Sequence, residues 1–247
     1  MQKDTDRSMI RLDKYLAQTG NGTRSQVKEL IKKGLVSVNG EIIKNSEYKL
    51  NEQSDEVFIS GSKVNYIRYE YFMLNKPAGY VSATEDKKEK TVLELIKDKK
   101  RHDLFPVGRL DKDTEGLLII SNDGAMAHDI LSPKKHVDKV YYAKIEGKVQ
   151  KQHIEVFKEG IDIGEKRKTL PAELCIISSG DISEIEITIR EGKYHQIKRM
   201  FLAIGMKVLY LKRIKMGNIL LDESLKKGEY RRLRDEEIRA LTEMRNN

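Results

Sequence analysis

The sequence predicts an α+β protein of two domains, a small module over residues 9–67 and a larger domain over residues 68–247. Three observations lead there. The chain has 247 residues, room for one large domain or a large one and a small one. Its first sixty or so residues carry two short helical periods and then a hairpin signal. The remainder mixes short strands and helices without regular β-α-β alternation, which disfavours a doubly wound sheet.

The elements follow in order. Residues 1–8, MQKDTDRS, are polar and expected to be disordered. Leu12, Tyr15 and Leu16 fall at i, i+3, i+4, one apolar helical stripe that stops at Gly20. Thr23 and Gln26 form a T-x-x-Q capping box, after which Val27, Leu30 and Ile31 repeat the spacing until Gly34. Val36 and Val38 alternate with polar neighbours, and Asn39-Gly40 is the preferred pair for a two-residue type I′ hairpin. A connector runs near 65–70. Beyond it, Tyr71 to Leu74 read as a strand entering a turn at Asn75-Lys76-Pro77-Ala78-Gly79. Strands are predicted over 117–120, 141–145 and 185–189, and helices over 91–97, 124–131 and 195–204.

Composition narrows the function classes. Basic residues outnumber acidic ones 47 to 39, a net charge of +8, and 35% of residues are charged. No apolar run approaches the roughly 20 residues of a spanning helix, and the start is too polar for a signal peptide, so a cytoplasmic protein is expected. The single cysteine, Cys175, excludes an internal disulfide, and five histidines in no HExxH or HxxxH spacing offer no zinc site. No GxxxxGK[ST] is present, and Gly20-Asn21-Gly22 has Ser25 where a third glycine is needed, so ATP and NAD are unsupported. No metal and no cofactor are expected. Between Arg190 and Asp235 thirteen basic residues face five acidic ones, interleaved with Tyr194, Phe201, Tyr210 and Tyr230. That pattern suits phosphate neutralisation with base stacking, and equally a solvated basic face.

The stretch PVGRLDKDTEGLLIISNDG, residues 106–124, places Asp111, Asp113 and Glu115 in a loop before the apolar run LLII. Composition alone leaves turn chemistry and catalysis both open. The order of residues is more specific. Gly108-Arg109-Leu110-Asp111, Asp113-Thr114 and Gly116-Leu117-Leu118 resemble the catalytic signature of bacterial RsuA-type pseudouridine synthases. Asn75-Lys76-Pro77, Lys139-Val140-Tyr141, and the segment from Glu191-Gly192-Lys193-Tyr194-His195-Gln196 to Phe201 resemble the family's other motifs, in its order. The tail around Leu211-Lys212-Arg213, Met216-Gly217 and Gly228-Glu229-Tyr230-Arg231 is similar too. The helix-helix-hairpin start, with a basic face, resembles the S4 RNA-binding domain; a DNA-binding helix-turn-helix with a β-wing is the competing pattern.

The resemblance implies an S4 module joined to a catalytic domain with a mixed, mainly antiparallel sheet and a central cleft. It implies conversion of a uridine of ribosomal RNA to pseudouridine, a reaction that exchanges one proton and needs no cofactor. Asp111 is implied as the catalytic carboxylate, acting by attack at C1′, addition at C6, or proton removal at C2′; the sequence leaves these routes open. Lys198 is implied as its cationic partner, and Tyr141 as the ring against the uracil and a relay for the C5 proton. A reacting uridine must leave its stack, and Arg109 is suited to fill the gap, or to hold a phosphate. RNA contacts are expected at Arg11, Lys14, Arg24, Lys28, Lys32, Lys76, Arg109 and Arg199. Asp113 is read as holding the loop, Glu115 as a variable position, and His195 as structural. The short length, without a long basic extension, is nearest the branch acting on 16S rRNA, with a small-subunit assembly intermediate as partner and a monomer as the expected state. Three rivals are kept: a 23S rRNA enzyme of the same family, a non-catalytic ribosome-assembly factor, and a glycosidase or nucleosidase. The last lacks an identifiable acid and base pair.

Overall fold

The computed structural model describes residues 9–132 and 135–246, so the expectation for residues 1–8 lies outside it. Two compact units divide the chain. One comprises residues up to Glu70 with Asp98–Leu104, and the other Tyr71–Lys97 with everything from Phe105 onward.

The first unit opens with β1 (Met9–Arg11), α1 (Leu12–Gln18) and α2 (Arg24–Lys32). Thr23 Oγ1 accepts from Gln26 N while Gln26 Oε1 accepts from Thr23 N, the reciprocal cap that starts α2. Strands β2 (Val36–Val38), β3 (Glu41–Ile42), β4 (Lys49–Asn51), β5 (Val57–Ile59) and β6 (Ser62–Lys63) follow. A four-stranded antiparallel sheet runs β3-β2-β5-β6, and β1 pairs with β4. Asn39 and Gly40 have φ of 51° and 86°, both positive as a type I′ turn requires. The helical stripes and the hairpin meet in one core of Leu12, Tyr15, Leu16, Val27, Ile31, Val36, Val38, Leu50 and Val57.

The excursion 98–104 was not legible in the sequence. Glu70 accepts from the backbone N–H groups of Lys100 and Arg101, and the Arg101 guanidinium pairs with Asp103 and lies over Tyr66, itself stacked on Tyr15. The helix predicted over 91–97 is therefore cut short. Only a 3-10 turn, Val92–Glu94, forms before the chain leaves for the other unit.

The second unit contains β7 (Tyr71–Lys76), β8 (Phe105–Val107), β9 (Glu115–Ser121), α3 (Gly124–Leu131), β10 (Lys139–Glu146), α4 (Lys151–Lys158), β11 (Glu173–Ser178) and β12 (Ile182–Ile189). It continues with α5 (Gln196–Ala203), β13 (Lys207–Met216), β14 (Ile219–Leu220), β15 (Tyr230–Arg232) and α6 (Asp235–Asn246). The sheet runs β11-β12-β10-β13-β9-β7-β15, with β8 added to β9 and β14 to β13. Its pairings are antiparallel except β9 with β13, so it is mixed and mainly antiparallel. Every residue of β9 is buried, which explains its unbroken apolar centre: this strand is covered on both faces. Met73, Leu117 and Ile119 pack against Met126, Ile130 and Leu241 of α3 and α6. Strand β10 alternates buried Tyr141, Ala143 and Ile145 with partly exposed neighbours, so one face points inward.

Strand β13 went unread in the sequence because its lysines and arginine look like a solvated face. Arg213 is instead 2% exposed, with Nε donating to Leu117 O at 2.8 Å. The parallel junction is close: a Cβ on Gly116, whose φ is +97°, would stand 2.2 Å from Arg213 O. Only glycine fits there.

Candidate active site

The loop 108–114, between β8 and β9, is fixed by groups the sequence had assigned elsewhere. Lys76, at the end of β7, is fully buried, and its Nζ donates to the carbonyl oxygens of Pro77, Asp111, Lys112 and Thr114 at 2.8–3.2 Å. The RNA contact expected of Lys76 is thereby corrected: an ammonium enclosed by four carbonyls has no donor left for a phosphate. Burial pulls its pKa down to about 8, against the opposing pull of Asp113, Asp111 and Glu115. Ser82 Oγ donates to Leu110 O and accepts from Leu110 N, and Gly79 N donates to Lys112 O. The backbone carrying Asp111 is thus held on both sides.

Opposite the loop stands α5. His195 precedes it in the left-handed conformation, φ +49°, and the turn before it is tied by Gln196, which accepts from Lys193 N and donates to Glu191. Lys198 projects from the first turn of α5. Its Nζ donates to Asp111 Oδ2 at 3.0 Å and to Asp113 Oδ1 at 2.6 Å. Partial burial opposes charge on Lys198, yet hydrogen bonds to Asp113 and Asp111 outweigh it and raise the ammonium above its usual pKa. Asp113 is correspondingly lowered: burial works against the anion, and the bond to Lys198 prevails. Charge is therefore locked in at the cleft.

Tyr141 reaches the same cleft from β10, beside a register shift in the β10–β13 ladder between Val140 and Tyr141. Such irregularities re-aim a side chain. The cleft is lined by Arg109, Asp111, Tyr141, His195 and Lys198, with Ile189, Ile197 and Leu211 as apolar wall. Asp111, Tyr141, Lys198 and Arg109 thus come together from one loop, one strand and one helix. His195, expected to be structural, also faces the cleft, its Nε2 3.7 Å from Asp111 Oδ1.

Other assignments change. Arg11 is not on a helix face; it ends β1 just ahead of α1, and its guanidinium is engaged by Asp13 and Glu47. Arg199 is held by Glu165, Tyr194 O and Ile163 O, which makes it a tie between α5 and the 163–165 loop, not a phosphate contact. Lys14, Arg24, Lys28 and Lys32 are exposed, the last three one turn apart on α2. Glu115 is buried at the start of β9 and accepts from Tyr210 Oη and Lys227 Nζ, each at 2.6 Å. Of the thirteen cations in the run from Arg190, at least seven face carboxylates: Arg190, Lys193, Lys198, Arg199, Lys227, Arg231 and Arg234. Of its aromatics, Phe201 is buried, Tyr210 bonds Glu115 and the Tyr230 hydroxyl accepts from Lys97 N; Tyr194 is the open one.

A carboxylate paired with an ammonium beside a tyrosine ring, in a cleft with a cationic rim, is equipped for chemistry on a nucleoside within a polyanion. Comparison with known proteins agrees. Residues 70–203 match the family described as RNA pseudouridylate synthase, and residues 10–57 match the S4 domain. The chain belongs to the RNA pseudouridylate synthase family and is an isomerase of that class, with an N-terminal S4 domain. It is 44% identical over 237 residues to the RNA pseudouridine synthase YtzG of Bacillus subtilis, covering 95% of this chain and 99% of that one. It is 41% identical over 234 residues to ribosomal small subunit pseudouridine synthase A of Haemophilus influenzae, covering 94% and 99%. A crystal structure of a pseudouridylate synthase superposes with a TM-score of 0.67 at 40% identity, again over 94% and 99% of the two chains. Among the described residues no helix is long and apolar enough to cross a membrane.

Proposed function

We propose that this enzyme converts one uridine of 16S ribosomal RNA to pseudouridine, acting in the cytoplasm on a small-subunit assembly intermediate as a monomer. The observation that carries the reading is the Asp111–Lys198 pair, 3.0 Å apart in the cleft beside Tyr141. Its support for the RNA target is the near full-length similarity to small-subunit synthases.

In the reaction the N1–C1′ bond breaks, the uracil turns, C5 joins C1′, and the C5 proton is exchanged for one on N1. Atoms and electrons balance without a cofactor. Asp111 is the reacting carboxylate, and Lys198 donates to its Oδ2 from across the cleft. Tyr141 holds the detached uracil by its ring face and lies at hand for the C5 proton. Arg109, exposed at the cleft, occupies the gap that the flipped uridine leaves. The S4 module supplies affinity through Lys14, Arg24, Lys28 and Lys32, which meet phosphates and shape rather than base identity.

The test is tritium release from 5-³H-uridine in 16S and 23S transcripts, bare and as assembly particles, with wild type and Asp111→Asn. Release from 16S RNA by wild type alone, with RNA binding kept in the variant, is the expected result. Release from 23S RNA would move the target, and binding without release on any substrate would make the protein an assembly factor.

A further inference from the structure

Tyr194 is 74% exposed, an unusual position for an aromatic ring this close to a reaction centre. One face of its phenol lies on the His195 imidazole, with centroids 3.8 Å apart and planes 17° from parallel. The imidazole in turn lines the cleft, 3.7 Å from Asp111 Oδ1. The two rings thus extend from the reacting carboxylate outward to solvent.

The backbone beneath the pair is fixed, though the phenol is not covered. His195 occupies the left-handed region, and a non-glycine residue there marks a conformation that the surroundings impose. Arg199 donates to Tyr194 O, and Gln196 secures the preceding turn. A tyrosine placed so firmly and left uncovered is placed for something it meets in solution. What surrounds it defines that partner. Lys193 Nζ donates to Arg167 O and Lys168 O, and Arg199 bonds Ile163 O, so the loop bearing exposed Lys166, Arg167 and Lys168 is drawn up against the same turn. An open π-face on a turn to which a loop with three exposed cations is tied suits a stacked base with its phosphates along that loop.

We propose that the Tyr194–His195 stack is the shelf for the base adjacent to the target uridine, with the Lys166–Lys168 loop receiving the neighbouring phosphates. This rests on the RNA-isomerase reading above and assigns to it two positioning residues. Displacing the target from its stack leaves the next base with one bare face. Tyr194 covers it, and so holds the strand in the bent path that delivers uridine to Asp111.

The test compares Tyr194→Ala and Tyr194→Phe with wild type, by equilibrium RNA retention and by steady-state tritium release on whichever transcript is a substrate. Losing one base stack should weaken Kd and KM by roughly 5- to 150-fold and leave kcat and thermal stability unchanged, with Tyr194→Phe close to wild type. Replacing the stacked nucleotide by an abasic one should impair wild type and cost Tyr194→Ala nothing further. Wild-type affinity in Tyr194→Ala overturns the proposal, as does a loss in Tyr194→Phe equal to that in Tyr194→Ala. If no transcript releases tritium, the isomerase target falls, while the retention comparison still decides for or against the shelf.

Discussion

Replacing Lys76 by methionine keeps nearly the same length of side chain and removes only the ammonium. Four carbonyls lose that donor, but Asp111 O still accepts from Thr114 N, and Lys112 O from Gly79 N. Pro77 O and Thr114 O bear the loss. At about 1–3 kcal/mol for each buried polar group left unmatched, the cost is about 2–6 kcal/mol. Methionine also relieves the desolvation that pulls the lysine down to about pKa 8, which places the net effect at the lower end, about 2–3 kcal/mol. In a unit of this size that lowers the Tm by about 4–12 °C. Because the freed backbone carries Asp111, kcat should fall by about 10²-fold, the usual consequence of misplacing a reacting group by an ångström.

Thermal unfolding and tritium release measure the two effects separately. Wild-type Tm and kcat in Lys76→Met would refute the reasoning; lower Tm with normal kcat would confine Lys76 to stability. pH supplies a second view of the same group. Its folded pKa of about 8 lies below the ordinary 10.5, so between these values the unfolded chain binds more protons and stability rises with pH. An uncharged amine has two N–H donors for four carbonyls, so kcat should fall above about pH 8 while stability does not.

Two further outcomes follow from the fold. Gly116→Ala puts a methyl 2.2 Å from Arg213 O at a positive φ, and should destabilise the catalytic unit by at least about 3 kcal/mol in urea titration; a smaller loss would mean that β9 and β13 can separate. Arg199→Ala should lower Tm without changing the salt dependence of RNA binding, whereas Arg24→Ala with Lys32→Ala should reduce the salt slope by about 2 at unchanged Tm; the reverse pattern would restore Arg199 as a phosphate contact.

Local chemistry was readable without coordinates. The Thr23–Gln26 cap, the Asn39-Gly40 turn, the apolar stripes of α1 and α2 and the span 124–131 of α3 depend on neighbours within a few residues, and each formed as the sequence implies. Asp111, Tyr141, Lys198 and Arg109 were found through ordered motifs, and all four line one cleft. What the motifs could not convey is which charges remain free. Lys76, Arg11 and Arg199 look in sequence like Lys32, yet their donors end on carbonyls and carboxylates from distant segments.

Sequence by itself determined where α2 starts and where the hairpin turns, because those follow from capping and turn chemistry over short separations, and its resemblance to a family signature singled out Asp111. Tertiary structure alone decided that segment 98–104 joins the N-terminal unit, that β13 runs parallel to β9 against Gly116, and that Lys76 ties down the loop bearing Asp111. A cation's role depends on which oxygens reach it first. Those oxygens are brought together by folding, from residues as far apart in the chain as 76 and 114 or 111 and 198.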